Sequence, residues 1–255
     1  MAEKNRKIKP ILKQDSGDSI RLNKYIANSG ICSRREADKL ISDGFIKVNG
    51  EIVTELGKKV SKEDSVLYKD KKIGFEKLVY VVLNKPKGIL TTASDELDRR
   101  TVLDFFKGKI NERIYPVGRL DKETTGVLLL TNDGDLTKKL THPSFNKKKI
   151  YHVYLDKNIE QEDFDKLLNG IELDDGIMMF DDLQFPDSTN LKELGIEIHS
   201  GKNRIIRRMF EALNYNVIKL DRVYFAGLTK KDLKRGKWRF LTQIEISNLK
   251  RGTYE

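Results

Sequence analysis

Residues 118–134 read GRLDKETTGVLLLTNDG. With the preceding RIYPV (113–117) they predict strand, loop and strand: an apolar run, Val127 to Leu130, lies between a charged loop and the turn signal Asp133-Gly134. Upstream, LVYVVLNKPKG (78–88) reads as a buried strand ending at Pro86, which has no amide to offer a ladder, and TVLDFF (101–106) as a short helix. Downstream, DLTKKLTHP (135–143) is a short helix stopped before Pro143, and IYHVYL (150–155) alternates as a strand. EQEDFDKLLNG (160–170) is a helix with Gly170 at its C-terminal end. LGIEIHSG (194–201) and VIKLDRVYFAGL (217–228) are strands flanking a helix, RIIRRMFEAL (204–213). Strands outnumber helices and do not alternate with them, so the expected class is α+β with a mixed, mainly antiparallel sheet, not a doubly wound fold.

A smaller module precedes this. In RLNKYIANSG (21–30), Leu22 and Ile26 are four apart and Gly30 supplies a stop. SRREADKLISDG (33–44) opens with Ser33 three residues before Glu36, a capping box that satisfies the orphan amides of a helix start. FIKVNGEIV (45–53) alternates around Asn49-Gly50, where both positions tolerate positive φ, so a hairpin is expected. Two short helices and a hairpin hold too little core for an independent protein and are expected as an appendage to something larger. The expected organisation is a flexible basic arm over 1–18, the small domain over 19–65, a charged linker over 66–77 and the main domain over 78–250.

The chain has 255 residues with 49 Lys plus Arg against 39 Asp plus Glu, a formal charge of +10. Charged residues make up 35% and hydrophobics 38%, which describes a globular chain able to bury a core. No apolar run approaches the roughly 20 residues that span a bilayer, and MAEKNRKIKP lacks the apolar stretch of a signal peptide, so a cytoplasmic monomer without membrane contact is expected. One cysteine, Cys32, excludes an internal disulfide, and His142, His152 and His199 have no metal-ligand spacing, so no metal is expected. There is no GxxxxGK[ST] and no GxGxxG after a strand, so an enzyme built on this chain is expected to work without cofactor. The positive charge favours a polyanion partner, although lysine-rich surfaces have other origins.

Three segments could carry chemistry. In the first, Asp121 follows Arg119 at the end of a strand, where an ionised carboxylate can be held as a nucleophile or base; the same residues also read as a charged surface loop. In the second, KIYHVY (149–154), Tyr151 shares a face with Val153 and Leu155, and His152 shares the other with Tyr154; Tyr151 can stack on a base or simply fill a core. In the third, GKNRIIRRMF (201–210), helical spacing puts Ile205, Ile206, Met209, Phe210 and Leu213 on one face and Arg204, Arg207, Arg208 and Glu211 on the opposite one. Cations crowded at a helix start oppose the dipole, so a phosphate or carboxylate is expected to offset them.

At these three segments the chain resembles the bacterial ribosomal-RNA pseudouridine synthases of the RsuA/RluB/RluF family, closest in texture to the large-subunit RluB-like branch. The resemblance covers residues 20 to about 250 and is most specific in GRLDKETTGVLLLTNDG; KIYHVYL, GKNRIIRRMFEAL and NKPKGILTT extend it. Residues 20–62 resemble the RNA-binding domain named after ribosomal small-subunit protein four. The resemblance implies cofactor-free isomerisation of a uridine in ribosomal RNA, free or within an assembly intermediate. It implies that Asp121 acts at the anomeric carbon, that Tyr151 lies against the uracil and helps remove the carbon-five proton, and that Arg207 pairs with the aspartate. Ile206 would pack beside the base, Arg119 would contact phosphate or brace the loop, and Lys202, Arg204 and Arg208 would add substrate contacts. Arg21, Lys24, Arg34, Arg35 and Lys47 would touch RNA from the small domain.

Two rival readings use the same residues. One is a non-catalytic RNA-binding assembly factor. The other is a glycosidic hydrolase with two carboxylates, Asp121 acting with Glu123 or Asp133. The charge is also unevenly placed: residues 20–62 hold nine Lys plus Arg against five acids, and residues 201–250 hold 13 against four.

Overall fold

In the computed structural model, residues 19–253 are described apart from 94, 96 and 146, so the expected basic arm lies outside the described residues. The chain divides into two compact units at residues 76 and 77.

The smaller unit is built from β1 (Ile20–Arg21), α1 (Leu22–Asn28), α2 (Arg34–Ser42), β2 (Ile46–Val48), β3 (Glu51–Ile52), β4 (Lys59–Val60), β5 (Val66–Tyr68) and β6 (Lys71–Lys72). The capping box forms at the start of α2: Ser33 Oγ accepts from the Glu36 amide at 3.2 Å, and the Glu36 carboxylate accepts from the Ser33 amide at 2.7 Å. Asn49 and Gly50 take φ of 53° and 90° and close the hairpin between β2 and β3. The expected linker over 66–77 is corrected here. β5 pairs antiparallel with β2, and β6 pairs with β5, giving the sheet order β3-β2-β5-β6. Val66 is fully buried in the same core as Leu22, Ile26, Ile41 and Ile46. One buried anchor in a charged stretch is enough to hold an edge hairpin, and the density of lysine and aspartate hides it.

The larger unit contains β7 (Tyr80–Lys85), a 3-10 turn (Val102–Phe105), β8 (Tyr115–Pro116), β9 (Thr125–Thr131), α3 (Gly134–Thr141) and a second 3-10 turn (Pro143–Phe145). It continues through β10 (Lys149–Leu155), α4 (Gln161–Asn169), β11 (Ile171–Leu173), β12 (Gly176–Met178), β13 (Asp182–Gln184) and β14 (Glu193–Ile198). It ends with α5 (Ile205–Ala212), β15 (Val217–Phe225), β16 (Leu228–Thr229), β17 (Trp238–Phe240) and α6 (Gln243–Arg251). The main sheet runs β13-β14-β10-β15-β9-β7-β17, with β16 on β15 and β8 on β9. Its pairings are antiparallel except β15 with β9, which is parallel, so the mixed and mainly antiparallel sheet is as expected.

The continuous apolar runs of β7 and β9 follow from burial on both faces. Val81, Leu83, Leu128 and Leu130 point into one core, with Val153, Leu194, Met209 and Phe210. Tyr80, Val82, Val127 and Leu129 point into the other, with Leu136, Leu140, Phe225 and Leu249. β10 instead alternates, burying Tyr151, Val153 and Leu155 on one face only, while His152 pairs with Glu193 at 2.6 Å on the other.

The parallel junction is tight. Arg222 lies opposite Gly126, and a Cβ on Gly126 would lie 2.1 Å from the Arg222 carbonyl oxygen. Gly126 also has φ of 109°, which L side chains avoid. Gly126→Ala is therefore expected to destabilise the larger unit by about 3 kcal/mol through combined strain and overpacking, measured by denaturant unfolding; an unchanged midpoint would contradict the close approach.

Candidate active site

The loop between β8 and β9 carries Asp121, and its shape is set from below. Lys85, the last residue of β7, has no exposed surface. Its Nζ donates to the carbonyls of Pro86 (3.2 Å), Asp121 (3.0 Å), Lys122 (3.2 Å) and Thr124 (2.9 Å). An isolated buried ammonium is costly, and burial pushes Lys85 down to about 8; the acids Glu123 and Asp121 oppose that, and the carbonyl oxygens replace its water. The Thr91 hydroxyl donates to the Leu120 carbonyl at 2.7 Å, and the Gly88 amide to that of Lys122 at 2.8 Å. The loop is thus pinned by its own backbone oxygens.

This leaves the Asp121 side chain unengaged. Its carboxylate makes no hydrogen bond or ion pair among the described residues, and it lines a cleft of about 550 Å³ with Tyr151 and Ile206. Asp121 is the sole acid among the described residues of that lining, while Arg119, Lys147, Lys149, Lys202, Arg204 and Arg222 also face it. Tyr151 is 9% exposed and Ile206 3%; both belong to the hydrophobic core and both also line the cleft.

Neither partner carboxylate of the hydrolase reading reaches the cleft. Glu123 is exposed and pairs with Lys87 at 3.2 Å. Asp133 caps α3, accepting from the Leu136 amide at 2.9 Å, and accepts from the Tyr80 hydroxyl at 2.7 Å.

The α5 arginines differ from expectation. Arg207 is not on the outer face: it is 9% exposed, and its Nη1 donates to the Val217 carbonyl at 2.7 Å. Burial, and then the charge of Arg204, push its guanidinium below its ordinary value, and Asp121 is the first of the acids that oppose this. Arg207 and Asp121 therefore sense each other, but no hydrogen bond or ion pair joins them, which corrects the expected direct pairing. Arg208 points outward and makes a bidentate pair with Asp175 at 2.6 and 3.2 Å. That pairing holds the Asp175 carboxyl near 2, and Lys202 donates to the Asp175 carbonyl at 2.8 Å. Arg204 caps the helix in the left-handed region (φ 47°) and reaches Glu211 at 3.5 Å. The offsetting anion for Arg208 and Lys202 is thus Asp175, a carboxylate on the turn after β11. In the smaller unit Arg21, Arg34 and Arg35 are exposed and Lys24 is half-buried; Lys47 spends its ammonium on Asp70 at 2.7 Å.

Sequence reasoning missed Lys85 and Lys149. Lys149 opens β10 and donates to the carbonyls of Lys147 (2.7 Å) and His199 (2.8 Å), tying the two rims of the cleft together. Burial first, and then the neighbouring Arg222 charge, push it down to about 8. The signal for Lys85 was available: a lysine closing an apolar strand directly before a proline has little room to leave the sheet.

The comparisons bear on this geometry. A family model described as RNA pseudouridylate synthase matches residues 79–212, which include Lys85, Asp121, Tyr151 and Arg207. The chain belongs to the RNA pseudouridine synthase family. An S4 domain model matches residues 20–66. The chain is 42% identical over 233 residues to ribosomal large subunit pseudouridine synthase B of Bacillus subtilis, covering 90% of this chain and 95% of that protein. It is 36% identical to the dual-specificity RNA pseudouridine synthase RluF of Escherichia coli, covering 91% and 78%. A solved pseudouridylate synthase superposes with a TM-score of 0.65 at 31% identity, covering 90% of this chain and 99% of that one. As a pseudouridine synthase, the chain is an isomerase of uridine.

For this synthase, Lys85→Met is expected to orphan four loop carbonyls, lower stability by about 3 kcal/mol and slow turnover at saturating RNA by roughly 100-fold, with little change in RNA affinity. Melting and single-turnover rates with labelled RNA check both; an unaltered rate would show that the loop holds its shape without the ammonium.

Proposed function

We propose that this synthase converts a uridine of ribosomal RNA, specifically of the large subunit, to pseudouridine, with Asp121 as the reacting carboxylate. The observation that carries this reading is the unengaged Asp121 side chain, the sole acid among the described residues of a cleft that six Lys and Arg residues also line. A phosphate backbone is drawn to such a lining, and a uridine lifted from its stack can place its base on Tyr151 beside Ile206. Asp121 then attacks or stabilises the sugar at C1′ as the N1–C1′ bond breaks. The uracil turns, C5 bonds to C1′, and the C5 proton leaves with help from Tyr151 while N1 takes one up. Nothing is added or lost overall, so neither water nor cofactor is required.

The S4 module supplies RNA affinity through Arg21, Arg34 and Arg35, with Lys24 adjoining. The identity of the large subunit follows the Bacillus subtilis relative's name. Such a protein acts in the cytoplasm, on free RNA or on an assembly intermediate.

Asp121→Asn is expected to reduce pseudouridine formation at least 1000-fold while RNA affinity stays within about threefold. Release of tritium from carbon-five-labelled ribosomal RNA measures the rate; near-normal turnover refutes the role, and release of free uracil would mark a hydrolase. Removal of residues 1–76 is expected to weaken RNA binding roughly tenfold or more, about 1.4 kcal/mol, with the saturated rate retained. Equal performance at low RNA and ordinary salt would remove the S4 module from recognition.

A further inference from the structure

The floor of the cleft holds a cation that the roles above leave unused. Arg222 is 3% exposed, deeper than any other cleft arginine. It sits in β15 directly opposite Tyr151 of β10 on one side and Gly126 of β9 on the other. Cross-strand partners project from the same face with Cβ atoms about 5 Å apart, so the Arg222 and Tyr151 side chains leave the sheet side by side, and both line the cleft that Asp121 enters; Gly126, its other partner, lies five residues beyond Asp121 in the chain. Its Nε donates to the Val127 carbonyl at 2.8 Å, and its plane lies over Phe225 at 4.6 Å. Both contacts fix the fork, yet Nη2 is buried with no hydrogen-bond partner. No carboxylate pairs with Arg222 among the described residues, and Lys149 beside it adds like charge. A buried, oriented and unpaired guanidinium is expensive unless something anionic meets it.

Depth decides between anions. Phosphates ride on the rim of a cleft, where Arg119, Lys202 and Arg204 stand; what reaches the floor beside Tyr151 is the base. We propose that Arg222 is a catalytic residue that binds the target uracil, donating to a carbonyl oxygen of the ring and stabilising the charge the base acquires when it leaves the sugar. When the N1–C1′ bond breaks, its electron pair stays with the uracil and spreads from N1 onto O2 and O4. The same accounting holds whether Asp121 forms a bond to C1′ or takes a sugar proton. When C5 attacks C1′ that pair is returned, the Asp121 carboxylate leaves C1′ or gives the sugar proton back, C5 gives up its proton, and N1 is reprotonated. The donor thus interacts more strongly with the separated base than with the bound uridine, which is the condition for accelerating the step. This inference rests on the synthase reading above.

The test uses full-length protein and a large-subunit ribosomal RNA transcript labelled with tritium at carbon five of uridine. Arg222→Gln and Arg222→Lys are compared with the native protein, and near-UV circular dichroism verifies the fold of each. The expected result is a fall of about 100-fold or more in the saturated single-turnover rate for the Gln variant, a smaller fall for Lys, and transcript affinity within about threefold. A saturated rate for Arg222→Gln within threefold of native, or a loss confined to affinity as for a phosphate anchor, overturns the proposal. If the native protein releases no tritium from ribosomal RNA, the underlying synthase reading fails instead. Should Gln not fold, the Lys variant decides, since a point charge without the fork must still turn over more slowly at saturation.

Discussion

A single ammonium group organises this enzyme. Lys85 ends β7 with no exposed surface and gives its protons to carbonyls on Pro86, Asp121, Lys122 and Thr124. An ammonium has three N–H bonds, so four acceptors saturate it, and a loop that would otherwise present its oxygens to solvent curls around a charge. Because backbone carbonyls do the gripping, the Asp121 side chain is held in place without being occupied. A carboxylate used as its own anchor would be satisfied and therefore less available to react.

Asp221 shows the contrast. It accepts from both Arg235 nitrogens at 3.1 Å and from the Thr125 hydroxyl at 3.0 Å, and it also pairs with Lys230. Burial pushes its carboxyl up, but the hydrogen bonds from Arg235 and Lys230 outweigh this and hold it below the ordinary range. Asp221 stands opposite Thr125 in the parallel register, so this network braces the start of β9 from outside the cleft. Two aspartates near one strand end thus divide the work: one is consumed in structure, the other kept free.

What the sequence made legible was local. The capping box of α2, the Asn49-Gly50 hairpin, the helix stops at Pro143 and Gly170, and the alternation of β10 each depend on neighbours within a few residues, and each formed as read. The site residues came from motif resemblance, and Asp121, Tyr151 and Ile206 meet in one cleft. Three things were not legible. Helical spacing put Arg207 outside because it treats the helix as a cylinder in water, whereas β15 and its Val217 carbonyl cover that flank. Charge density hid the β5–β6 hairpin, since one buried valine, Val66, anchors it. Lys85 looked like one lysine among many because three of its four acceptors lie 36 to 39 residues away.

The position of β15 has a consequence for biosynthesis. β9 and β10 are consecutive long strands of the main sheet, yet they do not touch; β15 lies between them, joining β10 on one edge and β9 on the other. Asp121 precedes one of these strands and Tyr151 belongs to the other, so the two halves of the site have no sheet contact until residues 217–225 are inserted. Closing that junction spans nearly a hundred residues, an entropic cost that local structure cannot offset early. A chain emerging from the ribosome can fold its S4 module and β7 with β9 first, but it has no competent cleft until residues 217–225 have been made.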